Sequence, residues 1–465
     1  MAKLGSAASP LRVAIIGAGP AGFYAAAHLL KQSEHTIHVD LFDKLPTPFG
    51  LVRGGVAPDH QKIKSVTRQY DKTASHENFR FFGNVTLGEH VSVEDLRKYY
   101  HQICYTTGTQ TDRNLGIPGE GLNRSHSATE FVAWYNGHPE YKHLSFDLSQ
   151  ESVAVIGVGN VAVDVARILC RTADELAKTD IADYALEVLS NSNVKEVHML
   201  GRRGPAQAAF TNPEVKELGE MEDADAFVLP EEAALDPLSQ ANLEASPDRK
   251  ISRKLEIMQG MTSTPVSGKS KKLVIRFLVS PTEIIDDGTG SVGGMKLVKN
   301  ELYLNDKGVL RPRSTETTEI LNAGLVFRSV GYRGLPLPGV PFNSDWNLIL
   351  NEQGRVLRED TRAPQTGEYT AGWIKRGPSG VIGTNKADAV ETANCMLEDY
   401  MAGKTLEPAH TNPEAIVNLL KERQPDYFSY AEWQQLDALE TSNGVALGRP
   451  RLKFTDIPSM VAAVK

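Results

Sequence analysis

The chain contains 465 residues, of which 41% are hydrophobic and 23% are charged, and its formal net charge is −8. This length is too great for one hydrophobic core and predicts two or three domains. The negative charge argues against nucleic acid as a partner, and no apolar run approaches the roughly 20 residues of a membrane helix. The residues before the first predicted strand are too few for a secretory or transit peptide, so we expect a cytoplasmic protein or a mature form whose presequence has been removed.

A glycine fingerprint follows the first predicted strand and leads into a helix. Gly17, Gly19 and Gly22 have the G-x-G-x-x-G spacing, and a second predicted strand at 36–42 is followed directly by Asp43. Such glycines let the backbone approach a pyrophosphate, which rests on the helix N-terminus, while the acid binds a ribose hydroxyl. This unit predicts a dinucleotide site, and its acid suits the ADP half of FAD.

After a loop at 46–60, rich in proline and glycine and expected beside the flavin, a second fingerprint occupies 157–162. It also follows an apolar strand and enters a helix, and its next predicted strand, 194–200, leads into Arg202 and Arg203. A carboxylate there would repel the 2′-phosphate of NADP, whereas guanidinium groups bind phosphate through forked, charge-assisted hydrogen bonds. The second unit therefore predicts NADP rather than NAD.

Basic residues concentrate within this acidic chain after the second unit. They are Arg249, Lys250, Arg253, Lys254, Lys269, Lys271, Lys272 and Arg276. Such a patch would steer an acidic protein partner and weaken with salt. A solvated helix and hairpin would explain the same charges without any partner.

A second loop rich in glycine, at 372–385, precedes a predicted helix at 387–399. A helix N-terminus with free backbone N–H groups at this point could stabilise negative charge on a reduced flavin. The two fingerprints and this return segment, which begins at 361–372, predict an α/β fold with two nested Rossmann-like domains. We expect the FAD domain at 1–111 and 335–465, interrupted by the NADP domain at 112–334.

The three cysteines, Cys104, Cys170 and Cys395, are far apart in the sequence and form no C-x-x-C pair. This excludes the redox dithiol of thioredoxin and glutathione reductases, and three scattered thiols cannot supply the usual ligands of an iron–sulfur cluster. The architecture therefore resembles that of disulfide reductases without their dithiol. We expect no metal site, and the electrons of the flavin must leave to an acceptor outside the chain.

Several long motifs in the right order resemble the adrenodoxin reductase type of NADPH–ferredoxin reductase, most closely its bacterial branch. They are G-x-G-P-A-G-F-Y-A-A at 17–26, P-F-G-L-V-R-x-G-V-A-P-D-H at 48–60, G-N-V-A-x-D-V-A-R at 159–167, G-R-R-G-P at 201–205 and G-W-x-K-R-G-P at 372–378. The resemblance covers nearly the whole chain. It implies a flavin that takes a hydride from NADPH and releases two single electrons to a ferredoxin, whose typical acidity suits the basic patch at Arg249, Lys250, Arg253 and Lys254.

The resemblance also implies the residues of each site. Besides Gly17, Gly19 and Gly22 of the fingerprint, those expected to hold FAD are Ala21, Asp43, Leu51, Leu87, Trp373, Gly380, Val381 and Ile382. Those expected to hold NADP are Arg113, Val158, Gly159, Asn160, Val161, Arg202, Arg203 and Glu214.

His60 and Glu214 are the candidates for moving a proton or ordering the nicotinamide, although a single histidine in a loop is also compatible with a structural role. Asp43 stands where the family usually has Glu, and Asn212-Pro213 before Glu214 is unusual. A monomer would suffice, because both nucleotide sites lie in one chain. The alternatives are a reductase of small molecules and an electron-input subunit of a larger enzyme. No chemistry is assigned to residues 408–465.

Overall fold

The computed structural model describes residues 2–465. Its strands are β1 Leu11–Ile16, β2 Ile37–Phe42, β3 Phe79–Phe82, β4 Gln102–Tyr105, β5 Thr111–Asp112, β6 Ser125–Ser127, β7 Ser152–Ile156, β8 Glu196–Leu200, β9 Ala224–Val228, β10 Lys271–Arg276, β11 Val279–Asp286, β12 Val292–Leu304, β13 Leu310–Leu321, β14 Leu325–Arg328, β15 Tyr332–Arg333, β16 Phe342–Asn343, β17 Leu348–Ile349, β18 Asn351–Glu352, β19 Arg355–Leu357 and β20 Pro364–Thr370.

The α-helices are α1 Pro20–Leu30, α2 Leu51–Gly54, α3 Gln61–Lys64, α4 Thr67–Ala74, α5 Val93–Tyr99, α6 Ala128–Tyr135, α7 Asn160–Cys170, α8 Ala173–Leu176, α9 Asp183–Ser190, α10 Asn212–Leu218, α11 Pro230–Ala233, α12 Pro237–Ala245, α13 Arg249–Gly260, α14 Trp373–Arg376, α15 Thr384–Met401, α16 Glu414–Arg423, α17 Tyr430–Val445 and α18 Ile457–Val464. Within residues 2–465, no helix is both long enough and apolar enough to cross a membrane.

The first sheet has seven strands in the order β18-β19-β20-β4-β1-β2-β3. The five strands from β20 to β3 are parallel, and β18 and β19 extend the sheet as antiparallel strands. Strand β1 is buried along its whole length, as expected for a parallel strand covered on both faces. Helices α1 and α15 pack together on this sheet, and their buried residues belong to one core.

The second sheet has six strands in the order β6-β14-β7-β8-β10-β9, and every pairing in it is parallel. All its strands lie between residues 125 and 328, whereas the first sheet takes strands from before and after this range. The nested α/β architecture predicted from the two fingerprints is therefore confirmed. A ribbon of β5 and β15 pairs Asp112 with Tyr332, and we propose that the domain boundaries near 111 and 334 lie at this ribbon.

Two local predictions differ from the structure. The helix expected at 387–399 begins earlier, at Thr384, so that its N-terminus directly follows the loop rich in glycine. The basic segment ending at Arg276 is not a hairpin: β10 pairs in parallel with both β8 and β9 inside the second sheet. A parallel interior strand needs crossover connections, which residue composition alone did not indicate.

The C-terminal segment joins the two domains. Lys453 is buried, and its Nζ lies 3.4 Å from Oδ2 of Asp180 in the second domain. Asp180 also accepts a hydrogen bond of 2.7 Å from Nζ of Lys64, which belongs to α3 of the first domain. One carboxylate therefore holds cations from two separate segments of the chain.

Candidate functional site

A cavity of about 850 Å³ is lined by residues of both fingerprint units. This volume lies within the range of ligand and cofactor pockets. The predicted site residues that line it are Gly17, Gly19, Ala21, Asp43, Leu51, His60, Leu87, Asn160, Val161, Glu214, Trp373, Gly380, Val381 and Ile382. The predicted residues that do not line it are Gly22, Arg113, Val158, Gly159, Arg202 and Arg203.

The first fingerprint turns sharply between β1 and α1. Gly17 has φ +110, and a Cβ there would lie 2.7 Å from the backbone of Thr106, so another residue would not fit. A Cβ on Gly19 would meet no atom within 4 Å, because this glycine borders the open cavity. Gly22 is buried beneath the turn, where a Cβ would overlap the carbonyl of Gly17. The turn thus leaves space for a pyrophosphate beside Gly19 and packs tightly below it.

Asp43 lies at the end of β2 and faces the same cavity. Its Oδ2 accepts a hydrogen bond of 2.7 Å from the backbone N–H of Ala18, and its Oδ1 accepts one of 2.9 Å from that of Leu45. Burial raises the pKa of Asp43, and these two backbone hydrogen bonds oppose the shift. Since each carboxylate oxygen has a further lone pair, the side chain can still accept hydrogen bonds from ribose hydroxyls.

The late loop rich in glycine forms another wall of the cavity. The ring of Trp373 lies 5.5 Å from that of Tyr332, and its Nε1 donates a hydrogen bond of 3.2 Å to the carbonyl of Ser379. Residues 380–382 then line the cavity immediately before α15, which has 18 residues. The backbone between the tryptophan and the helix is thereby held next to the cavity at a helix N-terminus, where partial positive charge favours anionic groups.

The second fingerprint has the same geometry as the first. Gly157 has φ +135, and a Cβ on Gly159, the N-cap of α7, would meet no atom within 4 Å. The side chain of Asn160 accepts a hydrogen bond of 2.8 Å from the backbone N–H of Thr211, which fixes the segment leading to α10. The carbonyl of Val158 accepts hydrogen bonds of 2.9 and 3.1 Å from the backbone N–H groups of Ala209 and Phe210, which ties the same segment to the turn.

Arg202 and Arg203 follow β8 and carry charges that no carboxylate of residues 2–465 neutralises within 4 Å. Arg202 is exposed and Arg203 is half-buried. Burial lowers the pKa of Arg203, and the neighbouring charges of Arg202 and Arg311 lower it further. A group of like charges without a counter-ion is suited to an anionic ligand. Arg311, on β13, was not predicted as part of this group because it lies more than 100 positions after Arg203 in the sequence.

A cluster of charged side chains connects the two domains at the cavity. His60 Nε2 lies 2.7 Å from Oε2 of Glu217 and 3.8 Å from Oε2 of Glu214, and both glutamates are on α10. On the other side of the ring, Nδ1 lies 3.9 Å from Oδ1 of Asp164. Arg167 is fully buried and donates a hydrogen bond of 2.7 Å to Asp164. The two residues predicted to be catalytic are thus brought together, from sequence positions far apart.

The carboxylates of this cluster differ in pKa. Burial raises the pKa of Glu214 to about 6, with a contribution from the negative charge of Asp164, while His60 and Arg167 oppose the rise. Burial also raises the pKa of Asp164. At Asp59, by contrast, the effect of burial is outweighed by the hydrogen bond and charge of Arg167, which lower the pKa to about 2. Glu214 can therefore change its protonation state near neutral pH, whereas Asp59 stays ionised.

Ligand atoms of His60, Glu214 and Glu217 lie within 4.8 Å of one another, a spacing that a metal ion could bridge. However, Nη1 of Arg167 lies 3.5 Å from Glu214 and 3.7 Å from Glu217. A guanidinium is always charged, so it already provides the positive charge that these carboxylates face and would repel a cation. The donor set does not fit a metal.

Comparison with known proteins agrees with this geometry. The family model of pyridine nucleotide-disulphide oxidoreductases matches residues 11–203. NADPH-ferredoxin reductase FprA of Mycobacterium tuberculosis strain H37Rv is 43% identical over 460 residues, 97% of this chain and 98% of that protein. The mitochondrial NADPH:adrenodoxin oxidoreductase of Arabidopsis thaliana is 38% identical over 464 residues, 98% of this chain and 95% of that protein.

The chain belongs to the NADPH–ferredoxin reductase family of the adrenodoxin reductase type. The solved structure of Mycobacterium tuberculosis FprA in complex with NADPH has a TM-score of 0.92 and 41% identity, covering 98% of this chain and 99% of that one. The resemblance indicated by the motifs is confirmed over nearly the full length.

Three charged residues of the cluster around His60 and Glu214 were not predicted from the sequence as site residues. Asp59 directly precedes His60, and Asp164 and Arg167 are one turn apart on α7. A signal was present, because residues three and four apart lie on one face of a helix, and polar side chains at this spacing interrupt an otherwise apolar segment.

The predicted docking patch of the reductase is smaller than its charges suggest. Arg249, Lys250 and Arg253 are exposed, although Arg253 pairs with Glu256 at 2.7 Å, whereas Lys254 is half-buried and its Nζ donates to the carbonyl of Ala208. The more distant cations are also engaged: Lys271 donates to the carbonyl of Leu169 at 2.8 Å, and Arg276 is buried against Glu232 and Glu319 at 2.8 and 2.7 Å. Only tertiary structure shows which of these charges are available to a partner.

Proposed function

We propose that this chain is an FAD-dependent NADPH–ferredoxin reductase of the cytoplasm, active as a monomer. FAD, when bound, supplies the chemistry that converts a hydride from NADPH into two single-electron transfers to an iron–sulfur protein. The observation that carries the proposal is one cavity lined by both fingerprint units, with His60 and Glu214 where the units meet. The names of the relatives, which cover nearly the whole chain, support the same activity.

The first unit is proposed to hold FAD. The open space at Gly19 accepts the pyrophosphate against the N-terminus of α1, and the carboxylate of Asp43 accepts hydrogen bonds from the ribose. Trp373, Leu51 and Leu87 supply walls of the same cavity. These residues orient the cofactor and exclude water from it, which is the part of the reaction that the protein must provide.

The second unit is proposed to hold NADPH. Arg202 and Arg203 bind the 2′-phosphate, and Gly159 lets the backbone at the start of α7 approach the pyrophosphate. Arg113, on the segment beside β15, is proposed as a further phosphate contact. His60 and Glu214 then border the place where the two cofactors meet, and Glu214 can hold or release a proton near pH 6.

An acidic ferredoxin is the proposed acceptor, steered by Arg249 and Lys250 and, to a lesser degree, by Arg253 and Lys254. The test is NADPH-dependent reduction of cytochrome c with and without purified ferredoxin, at low and high salt, with NADH alongside. A rate that requires ferredoxin, prefers NADPH and falls with salt supports the proposal. Rapid flavin reduction without stimulation by ferredoxin would instead indicate a reductase of small molecules.

A further inference from the structure

Arg167 links the two domains at the cavity. It lies on α7, is fully buried, and donates hydrogen bonds of 2.8 Å to Oδ2 of Asp59 and 2.7 Å to Oδ1 of Asp164. Asp59 belongs to the first domain and directly precedes His60, whereas Asp164 is on the same helix as Arg167. One guanidinium therefore joins the loop that carries His60 to the helix that begins at the second fingerprint.

The remaining nitrogen of this guanidinium points at Glu214. Nη1 of Arg167 and Oε2 of Glu214 are both buried, neither has a hydrogen-bond partner among residues 2–465, and they lie 3.5 Å apart. Buried polar atoms without partners are rare in folded proteins and mark functional positions or water sites. Two of them facing each other between α7 and α10, beside the loop of the first domain that carries His60, indicate an arrangement kept for function.

Other charged groups face Glu214 from every side. His60 lies 3.8 Å away on the loop of the first domain, and Arg167 approaches from α7. Asp164 on α7 and Glu217 on α10 contribute negative charge. Arg167 lies within 4 Å of Glu214 and is a permanent cation, because a guanidinium stays protonated.

We propose that Arg167 is a positioning residue that fixes His60 and Glu214 relative to each other and supplies the constant positive charge that faces Glu214. The effect expected on the rate of flavin reduction rests on the proposed function. The effect expected on the pKa of Glu214 does not require the enzyme to turn over. Arg167 acts through Glu214 and His60 and does not itself line the cavity.

The direct test is the titration of Glu214 in the FAD-loaded protein, followed by NMR of ¹³C-labelled glutamate carboxyls and assigned by comparison with Glu214→Gln. Removing an opposite charge at this distance should raise the carboxyl pKa by about one to three units, so we expect such a rise in Arg167→Gln. Arg171→Gln is the matched control, because Arg171 is one turn further along and also contacts Asp59, at 3.1 Å, without approaching Glu214. Its Glu214 should titrate as in the wild type.

The kinetic test is stopped-flow reduction of the bound flavin by NADPH between about pH 5.5 and 8.5, a range that includes the raised pKa of Glu214. In Arg167→Gln the midpoint of the pH dependence should move upward with the pKa of Glu214. Arg167→Lys keeps the charge but cannot bind Asp59 and Asp164 in a fork, so it should leave the midpoint near that of the wild type and lower the rate at least several-fold.

The proposal is overturned if Glu214 titrates alike in Arg167→Gln and the wild type, or if Arg171→Gln shifts it equally. If Arg167→Gln does not fold, the test rests on Arg167→Lys. A wild-type rate of flavin reduction in Arg167→Lys across the whole pH range would then overturn the positioning role. Failure of NADPH to reduce the wild-type flavin would refute the proposed function alone, because the NMR comparison still measures the charge effect.

Discussion

Replacing Arg203 by alanine tests the assignment of the second unit to NADPH. Arg203 is half-buried and has no carboxylate of residues 2–465 within 4 Å, so its donors are free for a phosphate. A hydrogen bond to a charged group contributes about 1.5–3 kcal/mol, and each 1.4 kcal/mol corresponds to a factor of about ten. We therefore expect kcat/KM for NADPH to fall about 10- to 150-fold.

The same replacement should leave kcat/KM for NADH nearly unchanged, because NADH has no 2′-phosphate. Arg202 is exposed, and solvent screens its charge, so in Arg202→Ala we expect a smaller fall in kcat/KM for NADPH, about fivefold. The assay is steady-state reduction of ferricyanide with each nucleotide, and Arg253→Ala, which removes an exposed arginine paired with Glu256, is the control. An equal loss with NADPH and NADH in Arg203→Ala would refute the reasoning, since it would indicate a disturbed fold rather than a lost phosphate contact.

Three further predictions concern Glu214, Asp180 and Gly17. Because burial raises the pKa of Glu214 to about 6, the pH dependence of flavin reduction should show a step near pH 6 that Glu214→Gln removes. Asp180→Asn should lower the free energy of unfolding in urea at pH 7 by about 3–5 kcal/mol, because it strands the buried cations Lys64 and Lys453. Although burial opposes them, the two lysines lower the pKa of Asp180 in the folded protein. The ionised carboxylate therefore stabilises the fold above about pH 4, and the difference in unfolding free energy between wild type and Asp180→Asn should shrink as the pH falls below that value. Gly17→Val should yield protein without bound FAD, seen as loss of the visible absorbance, because a Cβ would lie 2.7 Å from the backbone of Thr106. Full retention of flavin would contradict the conclusion that this turn has no room for a side chain.

The sequence alone determined the features that depend on local spacing. The two glycine fingerprints predicted two parallel-sheet units, because a strand, a tight turn and a helix N-terminus must follow one another along the chain to bind a pyrophosphate. The acid at Asp43 and the arginines at 202 and 203 predicted which nucleotide suits each unit, since each residue closely follows its strand. The scattered cysteines excluded a redox dithiol for the same reason of spacing.

Tertiary structure decided what depends on residues distant in the chain. Whether Lys271 and Arg276 could meet a partner depended on β10 being an interior parallel strand, which places them against Leu169 and Glu232. The link from Arg167 to Asp59 exists only because two domains meet there, and its approach to Glu214 depends on α10 packing against α7. Side-chain charge is a local property of the sequence, but its burial and its partners arise from packing between segments, and these determine where a proton or an anion can be held.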